Sequence, residues 1–447
     1  RSGQQDQGAL RQEEELIAEC LSRTWIECIL ARVEVLPYQW SNTSSHSKER
    51  MSNMRRRLGL HKFAILVTLG FAVVCLSPAI ETFGGQGKSK ASQTQPPKFE
   101  VDPLWPKPLP NHWVLGSVTG IAVDSQDHIW IVHRGADSLG NNEKGGILNP
   151  PTGCCVPAPP VLEFDQAGNL VSHWGGPGQG YDWPQSTGGI AVDHKGSVWI
   201  AAAGLAAPAA SAGAAPPRAQ DAHVLKFSRA GQFLLQIGRA GKVEGSDSTS
   251  GLNRPAAVRV DPAANEVYIA DGFGNHRVVV FDADTGAYKR HWGAYGEKPD
   301  DARPSPYDPN ASPAKQFRLV SCAAISKDGL VYACDRQSDR IQVFQKDGKF
   351  AKEAFVSKTT LGDGSVWDIA FSQDPQQRFI YVADGQDKKI WVLRRDTLEP
   401  VSSFGDGGRM PGQFYAVGSI AVDSKGNVYT GEMYEGKRVQ KFRYRER

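Results

Sequence analysis

Between Arg254 and Gly293 the chain reads as four short β-type runs separated by turn formers. The runs are Ala257–Val260, Glu266–Ala270, Arg277–Phe281 and Tyr288–Trp292, rich in Val, Ile, Tyr and Phe with alternating polar residues. Alternation with a period of two gives a strand one apolar face. DPAAN, DGFGN and DADTG stand between the runs and supply the backbone angles that tight turns need. Strand, turn and strand over about 40 residues is the size of one propeller blade.

The unit recurs. Its first two strands return as TGIAVDSQDHIWIVHRG (119–135), GGIAVDHKGSVWIAAAG (188–204), SCAAISKDGLVYACDR (321–336), WDIAFSQDPQQRFIYVADG (367–385) and GSIAVDSKGNVYTGE (418–432). The third returns as VLEFD, HVLKFS, IQVFQ, IWVLR and VQKFR, and the fourth as LVSHWG, FLLQIG, FAKEAF and PVSSFG. One copy cannot bury its apolar face alone, whereas six copies around an axis bury each sheet against its neighbours. The pattern predicts an all-β fold, a six-bladed propeller over residues 99–447. The sixth copy lacks a fourth strand, and a ring must close to remove its sheet edges. Phe99–Asp102 in FEVDPLWPKPLPNHW is therefore expected to supply it.

Outside the repeats, Arg55, Arg56, Arg57 and Lys62 precede an apolar run from Phe63 to Leu76. A basic region, a short apolar stretch and a small-residue site make an export signal. The run is short of the roughly 20 residues of a membrane span. Residues 51–80 are thus expected to be a signal peptide, with Met51 or Met54 as the start. Residues 1–50 then form an upstream or non-native extension; the alternative is a true extension before an uncleaved anchor. Residues 81–98, rich in Gly, Ser, Gln and Lys, read as a flexible linker. The expected location is periplasmic or extracellular, with membrane contact only through the signal. Insertions at 136–160, 205–221 and 297–316 put long loops on a rigid scaffold, where binding commonly resides.

Formal net charge is +3, too near balance to argue for nucleic acid. Of seven cysteines, the exported part keeps Cys154, Cys155, Cys322 and Cys334. Cys322 and Cys334 flank the SKDG turn nearly symmetrically, so a disulfide across the hairpin is expected. Cys154 and Cys155 either bridge each other or stay free. No Cys-x-x-Cys spacing, Gly-x-Ser-x-Gly elbow or phosphate-binding loop occurs in the propeller.

The start of each innermost strand of a propeller faces the central channel. Aligned repeats place Thr119, Gly188, Ala256, Ser321, Trp367 and Gly418 there, followed by Gly120, Gly189, Ala257, Cys322, Asp368 and Ser419. A catalytic zinc needs about three converging His or carboxylate ligands. This ring has one Asp, one Cys and hydroxyls, and the ten histidines are scattered over turns and outer strands. Asp271…Arg277 and Asp335…Arg340 have the spacing of ion pairs that join second strand to third.

VYIADGFGNHRVVVF and VYACDRQSDRIQVFQKDGKF are similar to NHL repeats. GIAVDSQDHIWIVHRG, PGQFYAVGSIAVDSKGNVYTGE and the DGFGN turn further resemble the peptidyl-α-hydroxyglycine α-amidating lyase-like propellers. That resemblance implies a channel zinc on three histidines, a catalytic tyrosine in the Asp-Gly-x-x-Asn turn and an arginine in His-Arg-Gly. Here the histidine positions hold Gly188, Ser321 and Gly418, and Phe273 stands for the tyrosine. Only Arg134 is kept. An arginine holds a carboxylate bidentately but does not activate water as zinc does. The expectation is a monomeric binding or scaffold propeller without a cofactor. Its ligand, peptide-like, acidic or a protein partner, would sit at the channel mouth near Arg134, Phe273 and Trp367. The alternative is an amidating-lyase-like enzyme or other propeller hydrolase, with zinc or calcium as its metal.

Overall fold

Each repeat folds as one antiparallel four-stranded sheet, and six such sheets form the propeller in a computed structural model that describes residues 95–204, 219–302 and 304–445. The expected extension at 1–50, the expected signal peptide at 51–80, most of the expected linker and most of the second insertion lie outside the described residues. The third blade comprises Ala257–Asp261, Glu266–Asp271, Arg277–Asp282 and Tyr288–Trp292, each strand pairing with the next. Three of these strands run one residue past the boundary read from sequence, because the turn aspartates still take part in the ladder.

The recurring phrase "Ala-Val-Asp, turn, Val-Trp" has a mechanical cause. Asp124 accepts from the backbone N–H groups of Gln126 and His128 (2.8 and 2.9 Å) and from Trp130 Nε1 (3.0 Å). Asp193 does the same with Lys195, Ser197 and Trp199 Nε1. Asp423 does so with Lys425, Asn427 and the Tyr429 hydroxyl. One carboxylate thus fixes the hairpin turn and anchors the polar edge of the buried aromatic two strands wide.

Six hydrophobic clusters lie between neighbouring blades, one at each junction. Ile121, Ile131 and Leu162 of blade one meet Ala421, Tyr429 and Val439 of blade six, so the ring is continuous. Each fully buried Val, Leu, Ile or Phe contributes roughly 1.5–3 kcal/mol. Closure follows the expected route. Lys98–Asp102 pairs antiparallel with Val439–Arg445, with Phe99 opposite Tyr444. The strand begins at Lys98, one residue earlier than expected, because Lys98 still finds a partner in Arg445. Phe99 packs against Tyr381 and Phe404 of blade five, with ring centroids 5.3 and 4.8 Å apart, which ties the closing strand to the next blade as well.

The first insertion is ordered by short 3-10 turns and by a parallel pairing of Val156–Pro157 with Trp113–Val114. Cys322 and Cys334 are directly opposite in the blade-four hairpin and are bridged, with Cα atoms 5.0 Å apart. Cys154 and Cys155 are bridged to each other. The predicted ion pairs are present, Arg277 to Asp271 at 3.0 Å and Arg340 to Asp335 at 2.9 Å.

Candidate functional site at the channel mouth

The innermost strands leave a narrow cavity of about 40 Å³ on the propeller axis. Thr119, Arg134, Gly188, Phe273, Ser321, Trp367, Asp368 and Gly418 all line it. Arg134 also lines a wider cleft of about 780 Å³ beside blades one and six. Phe273 also lines one of about 1170 Å³ beside blades three and four. The axial cavity thus adjoins one cleft at Arg134 and another at Phe273.

Arg134 directly follows the strand Ile129–His133. Its N–H donates to the Ser117 carbonyl (2.9 Å), and its own carbonyl accepts from Ser138 Oγ (2.6 Å). Beneath it, His133 accepts from the Gly116 N–H at Nδ1 (3.1 Å) while Nε2 lies 3.0 Å from the Pro159 carbonyl. Those two contacts fix one neutral tautomer. Burial pushes the His133 pKa down to about 4. The Arg134 guanidinium has no ion-pair partner among the described residues, and its Nε is buried without a hydrogen bond. Burial lowers its pKa, Tyr434 opposes that, and repulsion from Arg254 adds to it. Arginine stays charged regardless.

The other cations of the mouth are held by the protein. Arg336 lies over the Trp367 ring, 3.4 Å from guanidinium carbon to centroid, and pairs with Asp363 at 3.0 Å. Tyr434 donates to the same carboxylate at 2.8 Å. Trp367 donates from Nε1 to the Gly364 carbonyl at 2.7 Å, and Gly385 lets it approach the backbone closely. Arg254 sits over Phe273 and donates to the carbonyls of Ala203 and Phe273. Across the axis, Arg259 Nη2 bonds to both oxygens of Asp368 (3.0 and 3.1 Å). Asp368 also accepts from the N–H groups of Ile369 and Ile420. Burial pushes the Asp368 carboxyl up, and Arg259 and the two N–H groups hold it back.

The residues present do not fit the metal that the resemblance implies. A Cβ at Gly188 would stand 2.6 Å from the Ala256 carbonyl oxygen and 3.1 Å from the Ala201 Cβ. At Gly418 it would stand 2.5 Å from Met433 Cγ. The Ser321 hydroxyl is used on the Val366 carbonyl at 3.0 Å. Histidines at these positions require the backbone and Met433 to move. Elsewhere, Asp124, His128 and Glu163 form a metal-like group among the described residues. Arg229 of blade two already bonds to both carboxylates there, so this cluster is an inter-blade ion network.

Arg336, Arg259 and Met433 were not singled out from sequence, although the repeats held a signal for each. Arg134, Ala203, Arg336 and Met433 each donate their N–H to the residue before an innermost strand, so they are equivalent positions. Arg259 pairs with Tyr268 where the other five blades pair Ala with Trp or Tyr.

Comparison with known proteins places these blades. Residues 252–281 match the NHL repeat. That match falls on the first three strands of the third blade. The chain is 26% identical to peptidyl-glycine alpha-amidating monooxygenase B of Xenopus laevis over 57% of its length, and spans 26% of that protein. It is 24% identical to NHL repeat-containing protein 3 of Mus musculus, covering 69% of this chain and 73% of that one. Among solved structures, a streptogramin B lyase aligns over 78% of this chain and 98% of its own at 10% identity, with a TM-score of 0.45. The chain thus spans about a quarter of the amidating monooxygenase it matches, and most of an NHL protein of its own size.

Proposed function

We propose that this NHL-repeat propeller is an exported, monomeric binding module that takes an anionic, peptide-like ligand at the channel mouth. The observation that carries the reading is Arg134, a half-buried arginine lining the channel, whose Nε is buried without a hydrogen bond and which has no counter-ion among the described residues. A buried charge is strongly unfavourable unless it is paired, so such a site favours a ligand that brings the pair. The two broad clefts, one at Arg134 and one at Phe273, leave room for an extended chain. The ligand's carboxylate would bind Arg134 bidentately. Export follows from the basic and apolar pattern of residues 51–80.

Titration calorimetry with peptides bearing a free or an amidated C-terminus tests this. Binding should require the free carboxylate and disappear in Arg134→Met. Equal binding of both peptides, or binding that survives Arg134→Met, overturns it.

The second reading is an enzyme of the amidating-lyase type, favoured by Arg134 in the retained His-Arg-Gly sequence and by the amidating relatives. Stoichiometric zinc in the purified protein, or cleavage of an α-hydroxyglycine peptide, would establish it over the first.

A further inference from the structure

Five innermost strands carry Ala opposite the aromatic of the second strand, and blade three alone carries Arg259. Asp368 is likewise the sole acid among the equivalent positions at the start of those strands. The two out-of-pattern residues meet across the axis, 109 residues apart in sequence. They meet in the cavity that also contains Gly188, Ser321 and Gly418. A resident guanidinium therefore stands in the channel where the related lyases are expected to hold a cation.

The pair is not closed off. Asp368 is 8% exposed and further occupied by two backbone N–H groups, whereas Arg259 remains 22% exposed and lines the cavity. Arg336 is neutralised by Asp363, and Arg259 by Asp368. Of the three arginines that line the cavity, Arg134 is then the one without a carboxylate partner among the described residues. A cavity of about 40 Å³ has room for a few waters, and so for one small anionic group.

We propose that Arg259 is a second anion-contacting residue, and that Arg134 and Arg259 together form a subsite for one monovalent oxyanion, a carboxylate, with Asp368 as the internal competitor that holds Arg259 in place. The inference rests on the anionic-ligand reading above and adds a residue and a charge to it. Sulfate, a dianion, would exceed the single unpaired charge of the cavity.

The test titrates the full chain with acetate, and separately with sulfate, following the intrinsic fluorescence to which Trp367 in the cavity contributes. Acetate binding should saturate, and Arg259→Met should weaken it by about tenfold to a hundredfold, the range expected for one charge-assisted hydrogen-bonding partner. Asp368→Asn should act in the opposite direction and tighten it. The double variant Arg259→Met/Asp368→Asn removes both charges of the pair together and strands neither, so it keeps the test valid if the single arginine variant fails to fold. Its acetate affinity should match the weakened value. Acetate affinity unchanged in both Arg259 variants overturns the inference, as does sulfate binding more tightly than acetate. Peptide binding that depends on Arg134 but not on Arg259 overturns the inference alone. Loss of peptide binding with the acetate pattern intact overturns the peptide reading alone.

Discussion

Arginines serve opposite purposes in two regions of this propeller. At the junction of second and third strands, Arg277 and Arg340 are fully buried and fully paired. Arg277 bonds to Asp271 and to the carbonyls of Ser246 and Gly251 (2.9 and 2.6 Å), which pins the loop that arrives from blade two. Arg340 does the same for Asp335, Tyr295 and Gln316, and Arg438 of blade six for Glu432, Arg409 and Gln413. At the channel mouth, Arg134 has no such set of partners, and Arg259 shares its one acid with two N–H groups. Where every donor is satisfied, the charge is architecture. Where one is left over, the charge is available to a ligand.

The sharpest break of that contrast comes from the paired region. Arg277→Met strands the Asp271 carboxylate in a site with no exposure, and removing one partner of a buried pair costs about 3–5 kcal/mol. Urea unfolding should show that loss. A change below about 1 kcal/mol would mean that the loop contacts do not depend on the pair.

His133 lies between the two regions and gives the contrast a pH dependence. Its folded pKa of about 4 lies below the ordinary value near 6.5. For a base held neutral by the fold, this stability is fully present above the unfolded pKa. It is lost as pH falls from about 6.5 toward 4, by about 3 kcal/mol in all. Protonation also removes the acceptor for the Gly116 N–H, which supports the strand before Arg134. His133→Gln keeps an acceptor and a donor but does not titrate. Its unfolding midpoint should fall less than that of the natural protein across this window; parallel decline would assign the acid loss elsewhere.

Reduction of the Cys322–Cys334 bridge should cost about 3 kcal/mol at most, from the chain entropy of a loop of roughly 13 residues. The bridge closes a hairpin whose register is already set by its ladder, so the fold should survive. A Cys322→Ala/Cys334→Ala protein that fails to fold would show that blade four depends on the covalent link.

The architecture was legible because it is local and repeated. Period-two patterning and the turn-capping aspartates are consequences of interactions within about 40 residues, and the long-range closing strand was legible because the sixth copy lacks its fourth strand. Even the Cys322–Cys334 pairing follows from hairpin symmetry. The site was only half legible. Alignment of the repeats named the channel positions Thr119, Gly188, Ser321, Trp367, Asp368 and Gly418, but spacing could not show that Arg259 reaches Asp368 across the axis. Nor could it show that Arg229 fills the acidic cluster of blade one, since that contact depends on how two blades are rotated against each other. Arg336 was hidden for another reason: a lone arginine after a strand reads as surface until the ring is drawn.

The smallest expected effect is the one that decides the contrast. Arg134→Met removes a charge that the folded protein holds without a counter-ion and replaces it with an apolar side chain of similar length. Nothing is left unpaired by the change, because no carboxylate among the described residues relies on it. Stability should therefore stay within about 0.5–1 kcal/mol of the natural protein or rise, while anion binding is lost. Arg277→Met should do the reverse, lowering stability and leaving binding by the folded fraction intact. If Arg134→Met destabilises as severely as Arg277→Met, then Arg134 is a structural arginine like the others, and the mouth has no charge to offer a ligand.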